Sequence, residues 1–128
     1  MAALIFFDTE TTGIGKADRI VQLAWLVSDR HGRILRSQNH IIRPEGFTIP
    51  TNVTKIHGIS TDRARREGKS LNFVLNIFSS DVFKSSALIA HNIKFDLRML
   101  RQEFAITSKD PGIDDKEHLC TMTSSTRW

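Results

Sequence analysis

Two carboxylates one residue apart, Asp8 and Glu10, directly follow an apolar run near the N-terminus. In a β-strand, residues i and i+2 project to the same face, so these acids lie side by side if the strand continues through them. Two like charges repel each other in a partly dry site, and a divalent cation offsets that repulsion. Mg²⁺ and Mn²⁺ prefer such oxygen ligands. The pair therefore predicts a divalent-metal site. An isolated D-x-E sequence more often has no metal: the aspartate begins a turn and the glutamate is solvated at the surface.

A third acid, Asp96, follows a second apolar strand in the segment "ALIAHNIKFD". The predicted strand ends at Ala90, and Asp96 lies about one helical turn into the next element. Alone, an acid at this position is commonly a cap or a partner of the helix dipole. After the first acid pair, the residues Thr11-Thr12-Gly13 predict a sharp exit that allows close backbone approach. The combination places Asp96 with Asp8 and Glu10 in one site.

The first third of the chain reads as three strands. Residues 2–7 are continuously apolar and predict a strand buried on both faces in the middle of a sheet. Residues 20–44 predict a hairpin around the turn 29–32, with one apolar face formed by Val21, Leu23, Trp25 and Val27. Because it lies in this apolar strand, Trp25 is expected in the core rather than stacked on a base.

From Pro50 onward the pattern becomes largely helical. Short helical segments are punctuated by Gly58 and by N-cap residues at 60–62. A longer helix is expected after Ser70, with one apolar stripe comprising Leu71, Val74, Leu75, Phe78 and Val82. A buried strand over 87–90, a helix from near Asn92 and a short strand at "HLCTM" complete the pattern. This order predicts an α/β fold with a mixed sheet flanked by helices, in one domain over residues 1–128.

Composition sets broad limits. The 128 residues are 40% apolar, enough for one core, and the net charge of +4 favours a phosphate-bearing partner. The single cysteine, Cys120, makes no internal disulfide, and no paired Cys/His spacing indicates a structural zinc site. No signal peptide or membrane span is predicted, so we expect a cytoplasmic protein without a membrane partner.

Basic residues cluster after the segment "IHGIS". We weigh two interpretations of them: attraction of passing phosphates, and the more usual solvated helix face. The cluster consists of Arg63, Arg65, Arg66 and Lys69. Lys94 lies within the second acidic segment, beside the proposed ligands, and is either a phosphate contact or a solvent-facing cation.

Three segments, "FFDTETTG", "IHGIS" and "HNIKFD", resemble in order and spacing the DEDDh branch of the DEDD exonucleases. This group includes the proofreading epsilon subunit of bacterial DNA polymerase III. The resemblance covers about residues 4–122. It implies a ribonuclease H-like sheet and 3′→5′ removal of nucleotides with two divalent ions, Mg²⁺ or Mn²⁺. A DNA proofreading or repair role, a single-stranded 3′ end as substrate and a polymerase subunit as partner are implied with it.

The resemblance also implies roles for individual residues. Asp8 and Glu10 become metal ligands, with Asp8 bridging both ions, and Asp96 serves the second ion. Thr11 and His57 match positions near the terminal nucleotide. Phe95 is either a wall of that pocket or part of the core, with the core slightly favoured.

The chain departs from the family at its C-terminal end. The family's third motif, a histidine with an aspartate five residues later, has no counterpart before Trp128. The pairs His57/Asp62 and His91/Asp96 have this spacing but belong to the other motifs. We therefore expect the C-terminal part of the fold to be missing and this chain alone to be weakly active or inactive. Apolar surface left uncovered would favour a homodimer.

Two other functions stay open at this point. The chain fits a non-catalytic module, which binds nucleic acid or a polymerase and retains the exonuclease scaffold. It equally fits an RNA-trimming member of the family, because selection of the 2′-hydroxyl depends on pocket geometry.

Overall fold

The computed structural model of the chain describes residues 3–107 and 110–121. Strands and helices follow each other in the predicted order. The strands are β1 (Ala3–Thr11), β2 (Ile20–Ser28), β3 (Ile34–Ile41), β4 (Ser85–Ala90) and β5 (Glu117–Cys120). The α-helices are α1 (Thr51–His57), α2 (Thr61–Glu67), α3 (Leu71–Phe83) and α4 (Ile93–Thr107).

The five strands form one mixed sheet in the order β3-β2-β1-β4-β5. β1 lies at the centre, antiparallel to β2 and parallel to β4. The predicted hairpin pairs β2 with β3, and Asp29 stabilises its turn by accepting hydrogen bonds from the backbone of His31 and Arg33. The prediction of a mixed sheet flanked by helices is therefore confirmed.

Helices cover the sheet on one face. Ile5, Phe7 and Thr9 of β1 are buried on that face. The alternate residues face the other way, where Phe6 is 40% exposed and Asp8 is exposed. The prediction that this strand is buried on both faces is wrong, because α3 and α4 pack against one face of the sheet and a groove of about 540 Å³ opens on the other.

The core lies between the sheet and helices α3 and α4. Helix α3 begins directly after Ser70, as predicted, and Ser70 caps it by accepting a hydrogen bond from the backbone N–H of Phe73 at 3.1 Å. Trp25 is 3% exposed and donates from Nε1 to the buried Asp81 at 2.7 Å. The apolar stripe predicted for α3 lies in this core, with Leu71 at its edge, and so do Leu23, Trp25 and Val27 of the face predicted for β2. Val21 belongs instead to a second, smaller cluster with Ile49, Ile59 and Ala64.

Several element ends differ from expectation by a few residues. β4 begins at Ser85, two residues before the predicted strand. The strand at "HLCTM" starts at Glu117 and ends at Cys120, and Met122 lies outside the described residues, as does Trp128. No helix in the described part of the chain is long and apolar enough to span a membrane.

Candidate active site

Asp8 and Glu10 lie near the C-terminal end of the central strand. β1 runs through both residues to Thr11, and its pairing with β2 continues to Glu10 in regular register. Their side chains therefore project to the same, uncovered face of the sheet. Asp8 is exposed and Glu10 is half-buried, so both carboxylates are accessible from solvent.

Asp96 reaches the same strand end from helix α4. It lies in the first turn of that helix and is only 5% exposed. Thr9, between the two acids of β1, donates a hydrogen bond from Oγ1 to Asp96 Oδ1 at 2.6 Å. This contact joins residues 87 positions apart and fixes the start of α4 against the acid-bearing end of β1.

The three carboxylates influence one another electrostatically. Burial raises the pKa of Glu10, and the charge of Asp8 raises it further. Burial also raises the pKa of Asp96; the hydrogen bond from Thr9 opposes this effect, and the charges of Asp8 and Glu10 add to it. A concentration of mutually repelling oxygens of this kind is a favourable environment for a divalent cation.

The donor set matches hard cations in its chemistry, because all three candidate ligands are carboxylates. Within residues 3–107 and 110–121, however, no three His, Cys, Asp or Glu side chains are close enough together to hold one metal ion. Asp96 Oδ1 is instead occupied by the Thr9 hydroxyl. Asp8 and Glu10, which share one face of β1, are therefore the residues placed to hold a cation, and Asp96 would not complete a three-ligand set with them.

The loop after the acid pair is ordered by Asp18. Its carboxylate accepts hydrogen bonds from Thr12 Oγ1 at 2.7 Å and from the Gly15 backbone N–H at 2.7 Å. A Cβ at Gly13 would lie 2.6 Å from Asp18 Oδ2. The predicted close approach at Gly13 is therefore made by this side chain rather than by another backbone. Thr11 donates from Oγ1 to the Gly13 carbonyl at 2.8 Å, which fixes its side chain beside the acids.

Helix α4 also holds this loop from the other side. Arg98 donates to the Ile14 carbonyl at 2.7 Å, and Gln102 donates to the Asp18 carbonyl at 3.3 Å. Glu103 is fully buried and accepts two hydrogen bonds from Arg19 Nε, at 3.0 and 3.2 Å, and one from Arg19 Nη2 at 3.0 Å. The helix that carries Asp96 thus positions the loop that follows Asp8 and Glu10.

His57 approaches the acids from the end of α1. It ends that helix within electrostatic range of Glu10. The His57 Nδ1 atom accepts a hydrogen bond from the Ile59 backbone N–H at 3.1 Å, so the neutral ring carries its proton on Nε2. Within the described residues, Nε2 is buried and has no hydrogen-bond partner. This buried donor is therefore left without a partner among those residues.

Phe95 and Lys94 occupy different environments at the start of α4. Phe95 is half-buried at the edge of the core, and the Arg98 guanidinium lies 5.5 Å from its ring centroid. Lys94 is exposed and lines a groove of about 460 Å³ between α4 and β5.

Sequence reasoning did not identify Thr9, Arg19 or Glu103 as residues that support the site. Thr9 carries a recognisable signal, because alternation places it on the covered face between two acids that face away. Glu103 carries a weaker one: a carboxylate in the apolar stripe of a helix must find a buried partner. Neither pattern indicates which partner it meets.

The chain belongs to the exonuclease family: the RNase_T model, described as exonuclease, matches residues 5–127. The resemblance inferred from the three segments is thereby confirmed.

Among curated proteins, the chain is similar to the DNA polymerase III epsilon subunit of Treponema pallidum. The two are 34% identical over 110 residues, which is 85% of this chain and 49% of that protein. The epsilon subunit of Buchnera aphidicola is 27% identical over 125 residues, covering 93% of this chain and 52% of that protein. A PolC-type DNA polymerase III of Mycoplasmopsis pulmonis is 31% identical over 101 residues, covering 78% of this chain and 7% of that protein. The chain thus spans about half the length of these epsilon relatives.

Solved structures establish the fold. Escherichia coli exonuclease I in complex with a dT13 oligonucleotide superposes with a TM-score of 0.86 at 21% identity, covering 99% of this chain and 29% of that one. A metal-free complex of the same enzyme with single-stranded DNA gives a TM-score of 0.84 at 23% identity, covering 98% of this chain and 29% of that one. The predicted ribonuclease H-like sheet is confirmed.

Proposed function

We propose that this chain belongs to a metal-dependent 3′→5′ exonuclease that acts on single-stranded DNA in proofreading or repair. The observation that carries the proposal is that Thr9 fixes Asp96 beside the strand that bears Asp8 and Glu10, within electrostatic range of both acids. Family membership and the similarity to epsilon subunits support the same activity.

Asp8 and Glu10 would hold two Mg²⁺ or Mn²⁺ ions, with Asp96 serving the second ion. Such ions stabilise charge on the attacking and leaving oxygens of the phosphodiester and lower the pKa of the attacking water. Burial and, after it, the charge of Asp8 raise the pKa of Glu10, and a bound cation would relieve the repulsion between the two acids.

The remaining site residues would position the terminal nucleotide. Thr11 directly follows the acids, and its hydroxyl donates a hydrogen bond to the Gly13 carbonyl, which restrains its side chain beside them. His57 presents a buried Nε2–H with no partner in the described part of the chain, which suits it to donate a hydrogen bond to a nucleotide oxygen. Phe95 at the core edge would supply an apolar wall.

Nuclease assays on the natural gene product that contains this chain test the proposal. We expect 3′→5′ degradation of a 5′-labelled single strand with Mg²⁺ or Mn²⁺, and loss of at least 10²-fold in rate for Asp8→Ala. The 128-residue chain alone is expected to degrade DNA much more slowly, because it contains no counterpart of the histidine in the family's third motif. A general base of that kind typically raises the rate 10²- to 10⁴-fold. Full activity of Asp8→Ala would refute the site.

One observation favours the alternative of a non-catalytic nucleic-acid-binding or polymerase-associated module. The described residues do not bring three ligands together for one metal ion. Such a module would bind DNA equally well with and without EDTA and would show no turnover with Mn²⁺. An RNA-trimming activity would appear as faster degradation of a ribonucleotide strand in the same assay.

Partners of this chain are likewise proposals. We propose the 3′ end of a single strand and a DNA polymerase subunit, by analogy with the epsilon relatives. A homodimer is proposed from the uncovered face of the sheet, where Phe6 is exposed beside Asp8. Sedimentation at several concentrations tests it, and a constant monomer mass would exclude it.

A further inference from the structure

Helices α1 and α2 carry a group of cations beside the candidate site. We propose that these cations bind the phosphates of the nucleic-acid strand on the 5′ side of the terminal nucleotide. The inference rests on the proposed function and adds the course of the strand to it. The surface, here called the α1–α2 surface, consists of Lys55, Arg63, Arg65 and Arg66.

The α1–α2 surface is continuous with the site through His57. This residue ends α1 and lies close enough to Glu10 to affect it electrostatically. Gly58 follows with a positive φ of 78° and turns the chain into α2. Arg63 Nη1 lies 3.4 Å from the Gly58 carbonyl oxygen, so the guanidinium is held at this turn. A strand that leaves the site past His57 therefore meets Arg63 first.

The other cations of the surface are exposed and available. Ala64 is fully buried and fixes the inner face of α2, which leaves Arg65 and Arg66 facing solvent. These two arginines, like Lys55, make no ion pair or side-chain hydrogen bond with any described residue. Glu67 pairs with Arg63 at 3.3 Å and offsets part of its charge. Exposed cations without partners bind phosphates without first losing an internal contact.

The charge balance of this region supports an anionic strand as the occupant. Residues 51–69 contain five Lys or Arg side chains against two carboxylates, Asp62 and Glu67. Lys69, the remaining cation, does not belong to the surface. It follows α2, forms a parallel bridge with Ile42 and lies near His40 of β3, whose pKa is lowered by burial and then by the charge of Lys69. The predicted basic cluster is thus divided between two parts of the molecule.

Binding of fluorescent dT12 and dT2 in EDTA tests the inference without any nuclease chemistry. The variant is Arg65→Gln/Arg66→Gln. The matched control, Arg30→Gln/Arg33→Gln, removes the same charge from the β2–β3 turn, at the end of the sheet away from Asp8 and Glu10. Exposed substitutions of this kind change stability little, and circular dichroism checks folding.

We expect the α1–α2 variant to raise the Kd for dT12 roughly tenfold at moderate salt and to change binding of dT2 much less. Loss of two phosphate contacts should make the negative slope of the log association constant against log salt shallower by about 1.4. The control variant should match the wild type. An unchanged Kd and slope, equal loss in the control, or no binding of dT12 by the wild type would overturn the inference. Because EDTA removes metal chemistry, failure of the proposed nuclease activity leaves this measurement unaffected.

Discussion

The hydroxyl of Thr9 donates a 2.6 Å hydrogen bond to the buried carboxylate of Asp96, and this contact joins the first acidic segment to the second. Thr9 projects to the covered face of the sheet, whereas Asp8 and Glu10 project to the open face. The strand thus uses both faces, one to present two acids and the other to fix the third.

Replacement of Thr9 tests this connection. Thr9→Val removes the hydroxyl donor, so the buried Asp96 carboxylate loses this hydrogen bond. The loss should lower the free energy of unfolding by about 1–3 kcal/mol. Thr9→Ser retains the hydroxyl and is the matched control, with a smaller loss. Urea unfolding of both variants measures the difference. Equal destabilisation would show that the methyl group, not the hydrogen bond, is what matters.

Asp96→Asn should stabilise the protein at neutral pH in EDTA while abolishing nuclease activity. Burial and the neighbouring acids raise the pKa of Asp96, so the folded state retains this proton to higher pH than the unfolded state. Stability from this group is therefore present at low pH and is lost as pH rises from the ordinary aspartate pKa through the raised one. The side-chain amide of Asp96→Asn does not ionise, so the variant does not lose stability in this way as pH rises. The gain should therefore be fully present at pH values above the raised pKa.

Urea unfolding between pH 3 and pH 7 measures this effect. The difference between Asp96→Asn and wild type should grow with pH, whereas the exposed Asp62→Asn should show no such trend. A lower stability of Asp96→Asn at pH 7 would contradict the electrostatic account of the site.

Divalent cations should raise the melting temperature of the protein. A cation that binds only the folded state stabilises it by about 2.7 kcal/mol at a hundredfold excess over its Kd. Asp8→Asn and Glu10→Gln remove the main proposed ligands and should abolish most of the shift, whereas Asp62→Asn should retain it. Differential scanning fluorimetry with Mn²⁺ and then EDTA makes the comparison. The same shift in all variants would place the cation elsewhere.

Glu103 should be one of the most sensitive positions in the chain. Its fully buried carboxylate accepts hydrogen bonds from Arg19 and from the Ile20 backbone N–H at 2.9 Å. Glu103→Ala leaves Arg19 without its partner and should cost about 3–5 kcal/mol. Glu103→Gln keeps the shape and some of the hydrogen bonds, so its loss should be smaller. Chemical denaturation distinguishes them, and a neutral Glu103→Ala would contradict the assigned role.

Most of the fold is predictable because its signals are local. The apolar stripe of α3 and the N-cap predicted at 60–62, which is Ser60, depend only on residues within or next to one helix, and both predictions are confirmed. The strand at residues 3–11 shows where local reasoning fails. A continuous apolar run predicts burial on both faces, yet Phe6 is 40% exposed because α3 and α4 cover the same face of the sheet.

The sequence by itself determined the chemical character of this protein: a strand ending in Asp8 and Glu10, a helix beginning before Asp96, and motifs typical of one exonuclease branch. Those features follow from the periodicity and residue type of short segments. Only the tertiary structure decided that Thr9 donates a hydrogen bond to Asp96, that the Asp18 side chain lies beside Gly13, and that Glu103 forms an ion pair with Arg19. Each of these contacts depends on how the chain packs over many residues, and no local pattern encodes which polar group a buried carboxylate will meet.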